Sequence, residues 1–131
     1  MAGVRITHNK NGNLSESSIQ KMVVQWADSH HFLRNLVIHI PNEGKRSYST
    51  AYTLKAMGMR SGIPDLFVAY PSNGYHGAWI ELKSEKGKVS KAQSEFIELL
   101  RSQNYFVCVC FSFEEAVETI GKYCNLFQHN P

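Results

Sequence analysis

The chain has 131 residues, 43% of them hydrophobic, and carries 14 Lys and Arg against 11 Asp and Glu, a formal charge of +3. That length suits one domain over residues 1–131, with a core large enough to need no disulfide scaffold. No apolar run is long enough to cross a bilayer, and Met1-Ala2-Gly3-Val4-Arg5 lacks the apolar stretch of a signal peptide, so the expected place is the cytoplasm or the inside of an infected cell.

Residues 1–14 hold Asn9, Asn11, Gly12 and Asn13, which predict a turn or a loose arm. Ser15 or Ser17 then caps a first helix, with Ile19, Met22, Val23 and Trp26 on its buried face. Glu16 falls in the first turn, where the helix dipole alone favours a carboxylate. Leu36-Val37-Ile38-His39-Ile40 reads as a short strand. Pro41-Asn42-Glu43-Gly44 ends it with turn chemistry, and Lys45 and Arg46 follow. Ser49 to Met57 predicts a short helix that Gly58 closes.

Pro64-Asp65 is in isolation a turn dipeptide, but Leu66-Phe67-Val68-Ala69-Tyr70 behind it is the apolar run of a strand covered on both faces. An Asp at the mouth of such a strand needs a partner or a metal. Pro71-Ser72-Asn73-Gly74 predicts a hairpin connection. In the next strand Ala78, Ile80 and Leu82 face one side and Trp79, Glu81 and Lys83 the other. Glu81 and Lys83 then lie roughly 6.5 Å apart along the strand. Such a pair fits a solvent-facing ion pair, worth little. It equally fits a carboxylate on a metal with an ammonium reaching the reacting water.

Ser84 to Val89 is a charged loop with Lys86 and Lys88, and Lys91 comes just after it. Ser90-x-x-Gln93 is a capping-box pattern, opening a helix that buries Phe96, Leu99 and Leu100. Tyr105 to Phe111 is a β-prone strand, with Cys108 and Cys110 on one face. Ser112-x-x-Glu115 is a second capping box, for a helix that packs Ala116, Val117, Ile120 and Cys124. Residues 125–131 are an expected frayed end. The three cysteines and six histidines show no zinc-ligand spacing, so no structural zinc is expected. The order α-β-(short α)-β-β-α-β-α suits an α/β domain, a mixed central sheet flanked by helices. Charge is uneven: residues 1–91 balance at +6 and residues 92–131 at −3. Such a field draws a phosphate backbone, although a mixed-charge solvated surface accounts for it as well.

Pro64, Asp65, Glu81 and Lys83 in this order resemble the PD-(D/E)XK nuclease superfamily. Within it the chain is most similar to the virus-type replication-repair nuclease domain, VRR-NUC. Further stretches carry the likeness: Ile40-Pro41-Asn42-Glu43-Gly44, Gly58, Gly62-Ile63-Pro64-Asp65-Leu66, Trp79-Ile80-Glu81-Leu82-Lys83 and Lys88-Val89-Ser90-Lys91-Ala92-Gln93. The resemblance implies a restriction-endonuclease-like core, α-β-β-β-α-β-α. It implies metal-dependent hydrolysis of DNA, with Asp65, Glu81 and the Leu82 carbonyl on the metal. Glu16 then completes the metal site, Lys83 acts on the attacking water, and Gln93 points at the site, which competes with its capping role. Asn42 and Glu43 are second-rank residues near the site. Lys45, Arg46, Arg60, Lys86, Lys88 and Lys91 are candidates for DNA phosphates. Oxygen ligands and retained water suit Mg²⁺ or Mn²⁺. The resemblance also suggests branched DNA, such as four-way junctions or flaps, and a homodimer. A sequence-specific restriction-type endonuclease and a non-catalytic nucleic-acid-binding protein are the alternatives.

Overall fold

The computed structural model describes residues 3–10, 12–41 and 48–127, with the side chains of 48 and 49 left aside. Its elements are α1 (Glu16–Asp28), β1 (Val37–His39), α2 (Tyr48–Ala56), β2 (Leu66–Val68), β3 (Ala78–Leu82), α3 (Lys91–Ser102), β4 (Phe106–Cys110) and α4 (Phe113–Tyr123). The four strands form one sheet in the order β1-β2-β3-β4. β1 pairs with β2 and β2 with β3 in antiparallel fashion, and β4 runs parallel to β3. The mixed sheet follows from the connections: a tight hairpin reverses β2 into β3, whereas α3 carries the chain back for a parallel partner. In the hairpin Asn73 and Gly74 both take positive φ, 52° and 85°, which a two-residue turn of this hand requires.

Side-chain alternation sorts the two faces of the sheet. Leu66, Val68, Ala78, Ile80, Leu82 and Cys110 pack with Ile19, Val23, Ala116 and Ile120 of α1 and α4. On the opposite face Trp79, Val107 and Val109 pack with Phe96, Ile97 and Leu100 of α3. Leu99, expected in the core, is 54% exposed. The buried stripe of α3 runs through Gln93, Phe96, Ile97 and Leu100, and Leu99 is two residues on from Ile97, about 200° round the helix.

Ser15, not Ser17, is the cap of α1, accepting from the Ser18 amide. The stretch before it is a turn, with His8 bridged to Leu14 and the Thr7 amide donating to Ser18 Oγ at 2.6 Å. After α4 the Leu126 amide donates to Gly121 O at 2.8 Å, and Leu126 packs on the core. No described helix is long and apolar enough to cross a membrane.

Candidate active site

The β2–β3 register pairs Leu66 with Ile80. One step further along, Asp65 stands across from Glu81. Asp65 is tied down on both sides: its Oδ2 accepts from the Leu82 amide at 2.8 Å, and its carbonyl accepts from the Ile40 amide at 2.9 Å. Because Ala78, Ile80 and Leu82 point into the core below α1 and α4, Glu81 and Lys83 are turned to the α3 face. The ladder to β4 continues past β3, the Lys83 amide donating to Cys110 O at 2.9 Å.

The result is not a solvent-facing ion pair. Glu81 is 2% exposed and Lys83 is 7% exposed. Glu81 Oε1 accepts from Gln93 Nε2 at 3.2 Å, while among the described residues nothing donates to the buried Glu81 Oε2. Burial first, and then the charge and hydrogen bond of Asp65, push the Glu81 carboxyl up to about 9; Lys83 pulls the other way and Glu16 adds a small push. Glu16 stands at the first turn of α1, and its Oε1 is 4.0 Å from Lys83 Nζ. That contact is too long for a hydrogen bond, so it leaves the ammonium's donors for other acceptors.

Gln93 settles the competition over its side chain by using both ends. Its Oε1 accepts from the Ser90 amide at 2.9 Å, and the Ser90 hydroxyl accepts from the Gln93 amide at 3.1 Å. The NH₂ end is then free to reach Glu81. An amide has two donors and one carbonyl, so capping and the reach to the carboxylate do not exclude each other.

Three further residues organise the site without appearing among the predicted ones. Gly62 has φ +84°, and a Cβ there would stand 2.5 Å from Ala92 O. Only glycine lets the loop before Asp65 lie against the first turn of α3, which brings Gln93 over Glu81. In the sequence this glycine stands in the stretch that carries the family resemblance, and nothing there says that a helix is what it approaches. His39 Nδ1 is 3.2 Å from the Asp65 carbonyl and 2.9 Å from Gln20 Nε2. These contacts join residues 26 and 19 positions apart, and no local spacing announces them.

Glu16, Asp65, Glu81, Lys83 and Gln93 are thus brought together, with Leu82 among them through its amide. Arg60, Lys86, Lys88 and Lys91 are exposed. Lys86 and Lys88 lie on the loop from β3 to α3. Lys91 Nζ is 3.8 Å from Glu95, and Arg60 Nη1 donates to its neighbour's carbonyl, Met59 O, at 3.4 Å. Asn42, Glu43, Lys45 and Arg46 lie outside the described residues.

Among the described residues no group of three His, Cys, Asp or Glu makes a ready ligand set. The donors nevertheless fit a hard cation. Two adjacent carboxyls in a buried site, one held neutral by burial and by its hydrogen bond with the other, are costly to ionise together unless something positive meets them. An ion that keeps several waters needs only one or two carboxylates from the protein.

A family model, the VRR-NUC domain, matches residues 4–114. A solved structure described as a VRR-NUC domain protein is 29% identical, with a TM-score of 0.77, covering 86% of this chain and 90% of its own. Another, described as a VRR-NUC domain, is 27% identical with a TM-score of 0.55, covering 82% and 96%. No curated protein matches the chain.

Proposed function

The chain belongs to the VRR-NUC family of nuclease domains, and from that premise we propose that it is a divalent-metal-dependent deoxyribonuclease, cutting phosphodiester bonds in branched DNA as a homodimer. The observation that carries this reading is the buried Glu81 carboxyl, set beside Asp65 with Lys83 two residues on. Two carboxyls side by side in a buried site resist ionising together. They suit a pair of ligands for one divalent cation.

Asp65 and Glu81 are the residues that would hold Mg²⁺ or Mn²⁺, with the Leu82 carbonyl and Glu16 completing the set. Such an ion, when bound, supplies Lewis acidity toward the phosphate and the attacking water. Gln93 holds Glu81 Oε1 and leaves the other oxygen open. The Leu82 amide does the same for Asp65, fixing Oδ2. Lys83 orients the water or offsets the charge that builds on the phosphate. Lys86, Lys88, Lys91 and Arg60 meet phosphates on either side of the cut, which makes binding weaken with salt. The charge balance of +6 over residues 1–91 suits the same role. Branched DNA and the dimer come from the likeness to small stand-alone domains of this kind. A two-fold dimer sets two sites against a two-fold substrate.

The test is cleavage of end-labelled four-way junction, flap and linear duplex in Mg²⁺ or Mn²⁺, with Lys83→Ala beside the wild type. Paired symmetric cuts in the junction, lost in the variant, are expected. Cuts confined to the flap would keep the nuclease and discard the dimeric resolvase. Cuts at one sequence in linear duplex would favour a restriction-type enzyme. Binding without any cut would reduce the protein to a nucleic-acid-binding module.

A further inference from the structure

Behind the sheet face that carries Glu81, β4 holds two thiols that the nuclease reading does not use. Cys108 and Cys110 lie on one face of β4, and their sulfurs are 3.8 Å apart. Both reach toward Thr119 Oγ1 of α4, at 4.0 Å and 3.6 Å. Cys110 is fully buried. Cys108 is half-buried and lines a cavity of about 320 Å³ with Asn73, Tyr75, Thr119 and Tyr123. A small oxidant therefore has a way to Cys108 and, through it, to Cys110. We propose that Cys108 and Cys110 are an oxidisable dithiol, a modification site at which a hydroperoxide closes an intrastrand disulfide.

The chemistry balances with a hydroperoxide as the oxidant. The Cys108 thiolate attacks one oxygen of hydrogen peroxide, the O–O bond breaks, and the hydroxide released takes up a proton to become water. Cys108 is then a sulfenic acid. The Cys110 sulfur attacks the Cys108 sulfur and loses its proton, the S–O bond breaks, and a second water leaves. Two thiols have given two electrons to one peroxide. The Cys110 thiol donates to Cys108 Sγ, which holds the Cys108 thiol low, at about 6, against the opposing push of burial. That favours Cys108 as the attacking sulfur.

Closure has a consequence for β3. Residues two apart on a strand have Cα atoms about 6.6 Å apart, at the long end of the roughly 4.4–6.8 Å that a disulfide spans. Drawing the sulfurs from 3.8 Å to bonding distance therefore pulls on the strand between them. Cys110 pairs with Leu82 and accepts from the Lys83 amide at 2.9 Å. The pull arrives at the two residues that end the active-site strand. Disulfide formation stands on the thiol geometry alone, and only its effect on catalysis rests on the nuclease reading.

The experiment treats the whole chain with hydrogen peroxide under denaturant-free conditions, then counts thiols and measures intact mass. Loss of two of the three thiols and of about two mass units, reversed by dithiothreitol, is the expected result. Cys124→Ala leaves that outcome unchanged, and Cys108→Ala or Cys110→Ala abolishes it. Oxygen adducts on Cys108 with the Cys110 thiol still titratable would overturn the proposal, as would a bridge through Cys124. Deuterium exchange of the segment holding Lys83 reads the pull on β3 without any cleavage assay. An exchange rate about tenfold faster after oxidation is expected for a loosened amide. An unchanged rate would show that the disulfide does not reach the site.

Discussion

Helices α3 and α4 begin with the same sequence signature, Ser-x-x-Gln and Ser-x-x-Glu, yet only one of them takes part in the candidate site. In α4 the Glu115 amide donates to Ser112 Oγ at 3.0 Å, but its carboxylate reaches the Phe111 amide, at 3.4 Å, rather than that of Ser112. The expected reciprocal box is therefore half formed, and the hydrogen bonds of Glu115 stay at its own helix end. In α3 the full box is made and the remaining amide donors go on to Glu81. The difference is not in the capping pattern. It lies in what is packed against each first turn: α3 receives the Gly62 loop, which delivers Asp65 and the end of β3 to its N-terminus.

The largest effect expected from this contrast is chemical. Glu81→Ala removes the group that Gln93 reaches, and cleavage should fall on the order of 10³-fold. Glu115→Ala should leave cleavage unchanged, as steady-state assays of the two variants would show. Next comes Gly62→Ala, which combines a positive φ with a Cβ 2.5 Å from a backbone oxygen. A loss of about 2–3 kcal/mol in urea unfolding is expected, because backbone atoms, not a flexible side chain, have to give way. A neutral substitution there would show that the loop does not depend on this close approach.

Smaller still is the capping contribution itself. Gln93→Ala and Glu115→Ala should each cost about 1 kcal/mol in stability. Only Gln93→Ala should also weaken cleavage, by about tenfold. Gln93→Glu sharpens the point, since a carboxylate keeps the acceptor for the Ser90 amide and loses the donor to Glu81. Its stability should approach the wild type while its activity does not.

A separate effect, read by changing pH and not by substitution alone, is in the stability of the metal-free protein. The folded state holds the Glu81 proton up to about 9, while the unfolded chain releases it near 4.5. The folded state binds more protons between those values, so stability from this group is full below 4.5 and is lost as pH rises toward 9. Thermal melts of wild type and Glu81→Gln should therefore diverge, with the wild type losing more Tm across that window. Parallel curves would mean that Glu81 is already ionised when no metal is bound.

Much of this arrangement was legible in the chain, for reasons that differ by residue. Asp65, Glu81 and Lys83 announce themselves through strand alternation, because a period of two puts Glu81 and Lys83 on the face opposite Ile80 and Leu82. The caps at Ser15, Ser90 and Ser112 are local hydrogen bonds and are written locally. Leu99 misled because Phe96, Leu99 and Leu100 fit helical spacing as well as Phe96, Ile97 and Leu100 do, and only packing on the sheet chooses between the two stripes. The burial of Lys83 was not legible at all: local spacing does not tell an exposed ion pair from a covered one, and Glu16 of α1 and the turn at Gly87 stand against this side chain. Nor were the links from His39 and Gln20 to Asp65, since they join three separate elements.

Titration calorimetry of Mn²⁺ into the metal-free protein tests most directly whether Asp65 and Glu81 bind a divalent cation. Run near pH 7.5 in two buffers of different ionisation enthalpy, it also counts protons. Saturable binding with release of about one proton, abolished in Glu81→Gln and in Asp65→Ala, is the predicted result. Binding that survives both substitutions, or no binding by the wild type, would contradict it.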